Sequence, residues 1–329
     1  MENAVSPFPL LNLPDRIVKK VLQRLDFMEM VVFSLISIKT KELITDLNIQ
    51  VKLFRVDVES SLYLTVTCNN SLFLEFIFYS ENKDDDAKLG EAGLVSFTVI
   101  KSIENVLVDG SKTFKWQKKG FDFKDWITHL RSLMHSPRPT SICFTNQEGE
   151  RFDFTLLEKV LEPIGTLLIE PLPDEFSQKI LDVFLSAQDF AVHDRTGGAS
   201  HRRIYIQNFG TMLLGPSFET TEDELLLMNS RSFKIEKSPH ISSKSINRFL
   251  KLWIKNSKSR VLYASIILSD DNELDELVVL KGINYRIVQG DSNRMWNKEA
   301  EFDAVEIRSR NGVYANIQFG GTDEFSMLV

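Results

Sequence analysis

Between Leu13 and Ile44 the chain carries more apolar side chains at helical spacing than so short a segment can bury by itself. Leu13-Pro14 is followed by Ile17, Val21, Leu22 and Leu25, and a second apolar run takes in Met30, Phe33, Leu35 and Ile36. The first set recurs at i, i+4, i+5 and i+8, the stripe of an amphipathic helix. Pro14 suits the opening of that helix, where its missing N–H is not needed. Asp26 with Glu29 three residues later forms the pattern of a capping box and restarts a second helix at once. Ser37 can cap a third short helix running through Lys41 to Ile44. A unit of about 40 residues is too small to enclose all of these side chains. Its surplus apolar surface calls for another protein.

The arrangement resembles the F-box, the helical module that docks a substrate receptor onto the Skp-family adaptor of a cullin–RING ubiquitin ligase. The resemblance runs without gaps over residues 13–43. Leu13 and Pro14 fall on the family's opening Leu-Pro, Val21-Leu22 on its Ile-Leu, and Leu25-Asp26 on its Leu-Asp. Met30 falls on a family Leu and Ile36 on a family Val. Phe27 stands where the family usually has proline, Ser37 where it often has cysteine, and Thr40 where it often has tryptophan. The resemblance implies that Leu13, Pro14, Ile17, Val21, Leu22, Leu25, Met30 and Ile36 bind the adaptor. From the residues alone, an amphipathic helical cap over the downstream core is the other reading.

Composition narrows the function classes. The chain has 329 residues, 43% of them hydrophobic and 26% charged, ordinary values for a globular protein. Twenty-four phenylalanines against 15 glycines argue against disorder or a fibrous repeat. A formal net charge of −7 gives no field favouring nucleic acid. The local basic pieces, His201-Arg202-Arg203 and Lys115 to Lys119, sit among acidic neighbours and read as solvated loops. Cys68 and Cys143 are the two cysteines, far apart and in strand-like surroundings, so they read as small buried hydrophobes in a reducing compartment. No signal-peptide pattern opens the chain, and no apolar run approaches the ~18 residues that span a bilayer. The expectation is a cytoplasmic or nuclear protein with no membrane and no nucleic-acid partner.

After the helices the period changes to two. Val51, Leu53, Val56 and Val58, then Leu62, Leu64 and Val66, then Leu72, Leu74, Phe76 and Phe78 mark strands, with Asn69-Asn70-Ser71 as a turn and 82–86 as a charged loop. Leu94, Phe97 and Val99 begin another strand. Residues 51–116 therefore predict an antiparallel sheet covered on one face.

From Phe121 helix and strand patterns alternate. Trp126, Ile127, Leu130, Leu133 and Met134 precede the strand 141–144; Leu156, Leu157, Val160 and Leu161 precede 167–169; Phe176, Ile180, Leu181 and Phe184 precede 190–192. A strand at Ile204-Tyr205-Ile206 follows, then a capped helix at Thr221 to Met228, the strand 233–235, and Ile246, Phe249, Leu250 and Trp253 before Leu262 to Leu268. Such units, recurring about every 22–30 residues, predict an irregular leucine-rich-repeat-like arc or an open parallel sheet, with right-handed crossovers placing helices on one face. The tail returns to period two. Val305 and Ile307 pair in register with Ile317 and Ala315 if Arg310-Asn311-Gly312 is a three-residue loop with Gly312 left-handed, whereas a two-residue turn would mix the faces. The C-terminal Met327-Leu328-Val329 reads as the close of a last strand, or alternatively as a tail for a carboxylate-capturing groove.

The segment from Ser230 to Leu268, with Asn247-Arg248-Phe249-Leu250-Lys251-Leu252-Trp253 before Arg260 to Leu268, resembles the F-box-associated type 2 domain of an expanded nematode receptor family. That resemblance implies substrate recognition by the C-terminal region. The expected fold is thus α+β / α/β: a three-helix F-box in residues 1–50, an antiparallel segment in 51–116, and a helix–strand substrate-binding domain with a C-terminal hairpin in 117–329.

Catalytic patterns are missing from the sequence. His129 and His135 do not share a helical face, and His193, His201 and His240 belong to no metal-binding spacing. No His-Glu-x-x-His, Cys-x-x-Cys or Gly-x-Ser-x-Gly element occurs. Asp84-Asp85-Asp86 lacks the alternation of a calcium loop, and the glycine pairs at 197–198 and 320–321 lack a phosphate-loop context. The stretch from His193-Asp194-Arg195 to Arg203 reads as a surface loop or part of a binding rim. The sequence thus predicts a non-catalytic substrate receptor with no cofactor and no metal, partnered by a Skp-family adaptor and a protein substrate. The alternatives are an adaptor-bound structural or regulatory protein that delivers no substrate, and an α/β enzyme with an unfamiliar site.

Overall fold

The computed structural model describes residues 10–68, 72–79, 94–103, 106–107, 112–117, 121–135, 140–193, 202–216, 218–256, 260–288, 304–321 and 323–329. The turn expected at 69–71, the acidic loop at 82–86 and most of the polar stretch after His193 lie outside these residues. The chain forms two compact units, one of Met1–Val56 and Ser61–Thr140, the other of Asp57–Ser60 and Ser141–Val329.

The first unit opens with three short helices, α1 (Asp15–Leu22), α2 (Phe27–Ser34) and α3 (Ile38–Thr45). Local chemistry sets their starts. Pro14 caps α1. Asp26 Oδ1 accepts from Glu29 N at 2.8 Å while Glu29 Oε2 accepts from Asp26 N at 2.9 Å, the reciprocal box that begins α2. At α3 the box is Ser37 with Thr40, whose hydroxyl accepts from Ser37 N at 2.9 Å. Thr40 is buried and serves the helix start, a role open to threonine and closed to the tryptophan common in the family.

Strands β1 (Ile49–Val58), β2 (Leu62–Cys68), β3 (Leu72–Tyr79), β4 (Leu94–Ile103), β5 (Val106–Leu107) and β6 (Lys112–Gln117) follow. The pairs β2–β3, β3–β4 and β4–β6 are all antiparallel, as the alternating pattern predicts. Helix α4 (Phe123–Leu133) and the short β7 (Met134–His135) complete the unit, β7 pairing parallel with the start of β1 through Ile49↔Met134. Period alone grouped α4 with the downstream helix–strand units, but it packs against α2 and α3. Ser34 Oγ lies 2.8 Å from His129 Nε2 in the buried α2–α4 contact, and Thr45 Oγ1 donates to Ser132 O at 3.2 Å.

In the second unit β8 (Thr140–Phe144) leads to five helix–strand units: α5 (Phe154–Leu161) with β9 (Ile164–Ile169), α6 (Asp174–Phe184) with β10 (Asp189–Val192), α7 (Arg202–Tyr205) with β11 (Thr211–Leu214), α8 (Glu222–Leu227) with β12 (Ser232–Ser238), and α9 (Ser243–Lys255) with β13 (Tyr263–Leu268). Strands β9 to β13 pair parallel in chain order. After α10 (Glu276–Leu280) come β14 (Tyr285–Val288), β15 (Ala304–Arg308), β16 (Tyr314–Gly320) and β17 (Glu324–Leu328). The last of these returns antiparallel beside β13, with β16, β15 and β14 following outward.

One cross-strand row shows why the unit coheres. Leu167, Phe190, Met212, Phe233, Ala264, Met327, Ile317 and Val305 stand in register on eight successive strands, and all are buried. A second row, from Ile169 through Val192, Leu214, Ile235 and Ile266 to Phe325 and Phe319, is buried too. Both rows lie on one face, because side chains two apart share a face. Phenylalanines join that face to the helices: Phe233 meets Phe249 of α9 at 5.7 Å and Phe144 meets Phe184 of α6 at 5.4 Å. The other face is more polar, with Lys234 paired to Glu236 at 2.6 Å.

Two expectations meet different outcomes. The C-terminal hairpin pairs Val305 with Ile317 and Ile307 with Ala315, with Gly312 at φ 88°, as the longer loop requires. The strand expected at Ile204-Tyr205-Ile206 is instead the helix α7, and the strand of that unit is β11. Ile204 and Tyr205 are both buried, which neighbouring residues achieve on one side of a helical turn and a half-covered strand forbids.

Candidate docking surface

Helix α1 has two apolar sides. Val18 and Leu22, four apart, point inward and are 2% and 0% exposed, whereas Ile17 and Val21, also four apart, are 46% and 37% exposed. Pro14 is exposed on the turn preceding Ile17, and Leu13 is half-buried. Helix α2 is apolar nearly all round. Phe27, Met28 and Val31 fill the interior, Met30 and Phe33 are half-buried, and Val32 is exposed. A helix greasy on every side is ordinarily enclosed; here the described structure encloses only part of it. Ile36 and Ile38, flanking the α3 cap, are 68% and 79% exposed.

Of the eight expected contact residues, Leu13, Pro14, Ile17, Val21, Leu25, Met30 and Ile36 keep at least part of their surface open, and Leu22 lies wholly in the core. Leu22 thus holds the helices together. The helical period assigns it and Val21 to one stripe, and only packing against neighbours separates them. Leu11, Val32 and Ile38 join the exposed apolar set without having been expected.

No group of His, Cys, Asp and Glu among the described residues can hold a metal ion. His129 is engaged with Ser34, and His240 Nε2 lies 3.8 Å from Glu219 Oε2 on the surface. Cys68 and Cys143 are free and buried. Burial pushes the Cys68 thiol from 9.0 up to about 11, so roughly a thousandth of it is thiolate at pH 8. Neither cysteine should react with a soluble aromatic disulfide in the native protein at that pH, and both should react once the chain is unfolded, as a thiol titration with and without denaturant will read. No helix among the described residues is long and apolar enough to cross a membrane.

Two stretches of the chain match known protein families. Residues 10–52, covering α1 to α3 and the start of β1, match the F-box domain, and residues 200–266, from α7 into β13, match the family described as F-box associated. The chain carries an F-box and an F-box-associated domain. The second match begins well before Ser230, because α7, β11 and α8 belong to it, the stretch where a strand had been expected in place of α7. The "F-box associated domain-containing protein sdz-33" of Caenorhabditis elegans is 25% identical over 284 residues, covering 86% of each chain. No solved structure matches. F-box and F-box-associated domains are typically non-catalytic adaptor and receptor modules, and F-box domains generally bind a Skp-family adaptor.

Proposed function

We propose that the chain is a non-catalytic substrate receptor of a Skp–cullin–F-box ubiquitin ligase. The supporting observation is the outward apolar edge of the F-box helices: Ile17 and Val21 stand open beside buried Val18 and Leu22, with Ile36 and Ile38 open at the next helix junction. Leaving that surface in water is unfavourable by about 25 cal/mol per Å2, and covering it by an adaptor recovers this. Leu13, Pro14, Ile17, Val21, Leu25, Met30 and Ile36 make the contact, and Leu22 supports it from beneath. The F-box-associated domain holds a protein substrate, and transfer of ubiquitin is accelerated by raising the local concentration of substrate lysines near the charged enzyme. No cofactor is required of this chain, and its place of action is the cytoplasm, the nucleus or both.

The test is affinity purification of the intact chain and of Leu13→Ala with Pro14→Ala. The intact chain should retain a Skp-family adaptor and a cullin, and the variant should lose both. Undiminished retention by the variant overturns the assignment. Depletion followed by quantitative proteomics separates a receptor from an adaptor-bound structural protein, since only a receptor's loss makes specific proteins accumulate.

A further inference from the structure

Within the F-box-associated match, α8 packs between α7 and α9. Helices α8 and α9 each join neighbouring parallel strands, so the two run the same way. Their alignment is fixed at one end, where Glu222 of α8 pairs with Arg248 of α9 and its other carboxylate oxygen accepts from Ser245 Oγ at 2.9 Å. Leu227 stands five residues beyond Glu222 and Leu252 four beyond Arg248, rises of about 7.5 and 6 Å, so the two leucines are nearly level. Ile206, just past α7, joins them from the other side. Its carbonyl accepts from Asn229 Nδ2 at 3.4 Å, two residues after Leu227. Ile206, Leu227 and Leu252 are 53%, 44% and 43% exposed, and they form one open row across three helix ends.

The border of that row is cationic. Asn208 Oδ1 accepts from Asn229 Nδ2 at 2.9 Å and from the Arg260 guanidinium, which is thereby held across the start of β12 without being neutralised. Arg231 stands at the same place, its N–H donating to Phe209 O at 3.0 Å and its carbonyl accepting from Leu262 N at 2.7 Å. Lys255 ends α9, three residues after Leu252. None of these three cations pairs with a carboxylate among the described residues. The carboxylates of the helices stand elsewhere: Glu222, Asp223 and Glu224 all lie in the first turn of α8, and α7 and α9 have none. A helix dipole accounts for a cation at Lys255 but not for Arg231 and Arg260, which lie outside the helices.

We infer that this row receives an amphipathic helix of a partner protein, one whose apolar stripe is flanked by acidic residues. Spacing selects a helix. Packed helices stand about 8–10 Å apart, and residues seven apart on a helix laid across them recur every ~10.5 Å, so one stripe can meet all three side chains. Charge selects the flanks, since carboxylates beside the stripe meet Arg231, Lys255 and Arg260 as the aliphatic side chains are covered. It also decides against a second copy as occupant. A two-fold contact presents the same surface from both sides, and this surface brings no carboxylate to the cations. The inference rests on the reading of the C-terminal region as a protein-recognition module and names the class of segment it takes.

Fluorescence anisotropy with the full chain tests it, using a labelled helical peptide of about 18 residues with leucine at every third or fourth position and glutamate on both flanks. Saturable binding is expected, at least about tenfold tighter than for the same peptide with lysine replacing glutamate. Leu227→Gln with Leu252→Gln should weaken it by about tenfold or more, and so, separately, should Arg231→Glu with Lys255→Glu. All four positions are exposed and the new residues are good helix formers, so the melting temperature should hold. The second pair keeps the test valid should the first disturb the fold. No saturable binding, equal binding of the lysine peptide, or indifference to either pair overturns the inference. So does a dimer in sedimentation that Leu227→Gln with Leu252→Gln dissolves, which would assign the row to a second copy. Adaptor co-purification measured in parallel separates the two readings: adaptor retained without peptide binding overturns the helix site alone, and peptide bound without adaptor overturns the ligase reading alone.

Discussion

Ile17→Arg combined with Val21→Arg should abolish co-purification with a Skp-family adaptor while leaving the melting temperature within about 2 °C of the parent. Both side chains stand on the open side of α1, where substitutions ordinarily change stability by no more than about 0.5 kcal/mol. Arginine is a good helix former; its charge is favourable at Val21, near the C-terminal end of α1, and costs a few tenths of a kcal/mol at Ile17 in the first turn. Each lost anchor forfeits about 1.5–3 kcal/mol of burial in the complex, so the pair should weaken binding by about 10²- to 10⁴-fold. The matching control is Val18→Arg with Leu22→Arg, four-apart positions on the other side of the same helix. Those side chains are 2% and 0% exposed, and two buried unpaired charges should unfold the helical trio. Binding lost with stability kept in the first variant, against binding and stability lost together in the second, marks a docking surface. Equal adaptor capture by the first variant removes α1 from the interface.

How much of this was legible in the sequence depended on whether the deciding interaction was local. Caps were legible, because Asp26 with Glu29 and Thr221 with Glu224 meet within one turn, and both boxes form. The hairpin register was legible because a glycine and two alternating strands admit a single pairing that keeps the faces unmixed. The parallel units were legible as a succession, their registered residues Leu167, Phe190, Met212, Phe233 and Ala264 recurring at intervals close to those expected. Long-range choices were not. Three apolar residues at 204–206 fit a strand or a helical turn equally well, and the packing of Ile204 and Tyr205 chose the helix. The contact of α4 with the F-box helices turns on Ser34 meeting His129, 95 residues apart. The division of α1 into Val18 with Leu22 inside and Ile17 with Val21 outside is likewise made by neighbours.

Gly215→Ala should destabilise the second unit by about 3 kcal/mol or more, lowering its melting temperature by roughly 6–12 °C. Gly215 follows β11 within the F-box-associated match, and its N–H donates to Val192 O at 2.8 Å. That bond draws the backbone against the end of β10. A Cβ added at Gly215 would overlap the His193 carbonyl and come to 2.9 Å from His193 Cα. The obstruction is backbone, so no rotamer relieves it; the two strand ends must part, and the Val192 bond goes with them. Gly282→Ala provides the contrast. Gly282 has φ +71°, where alanine is strained by about 1–2 kcal/mol, but its nearest neighbour is the flexible Lys251 ammonium at 3.5 Å. If left-handed strain governed, Gly282→Ala would be the worse substitution; if the close approach of β10 and β11 governs, Gly215→Ala will be. Urea unfolding monitored by circular dichroism ranks the two, and a Gly215→Ala midpoint equal to that of the parent would show that the β10–β11 junction yields without cost.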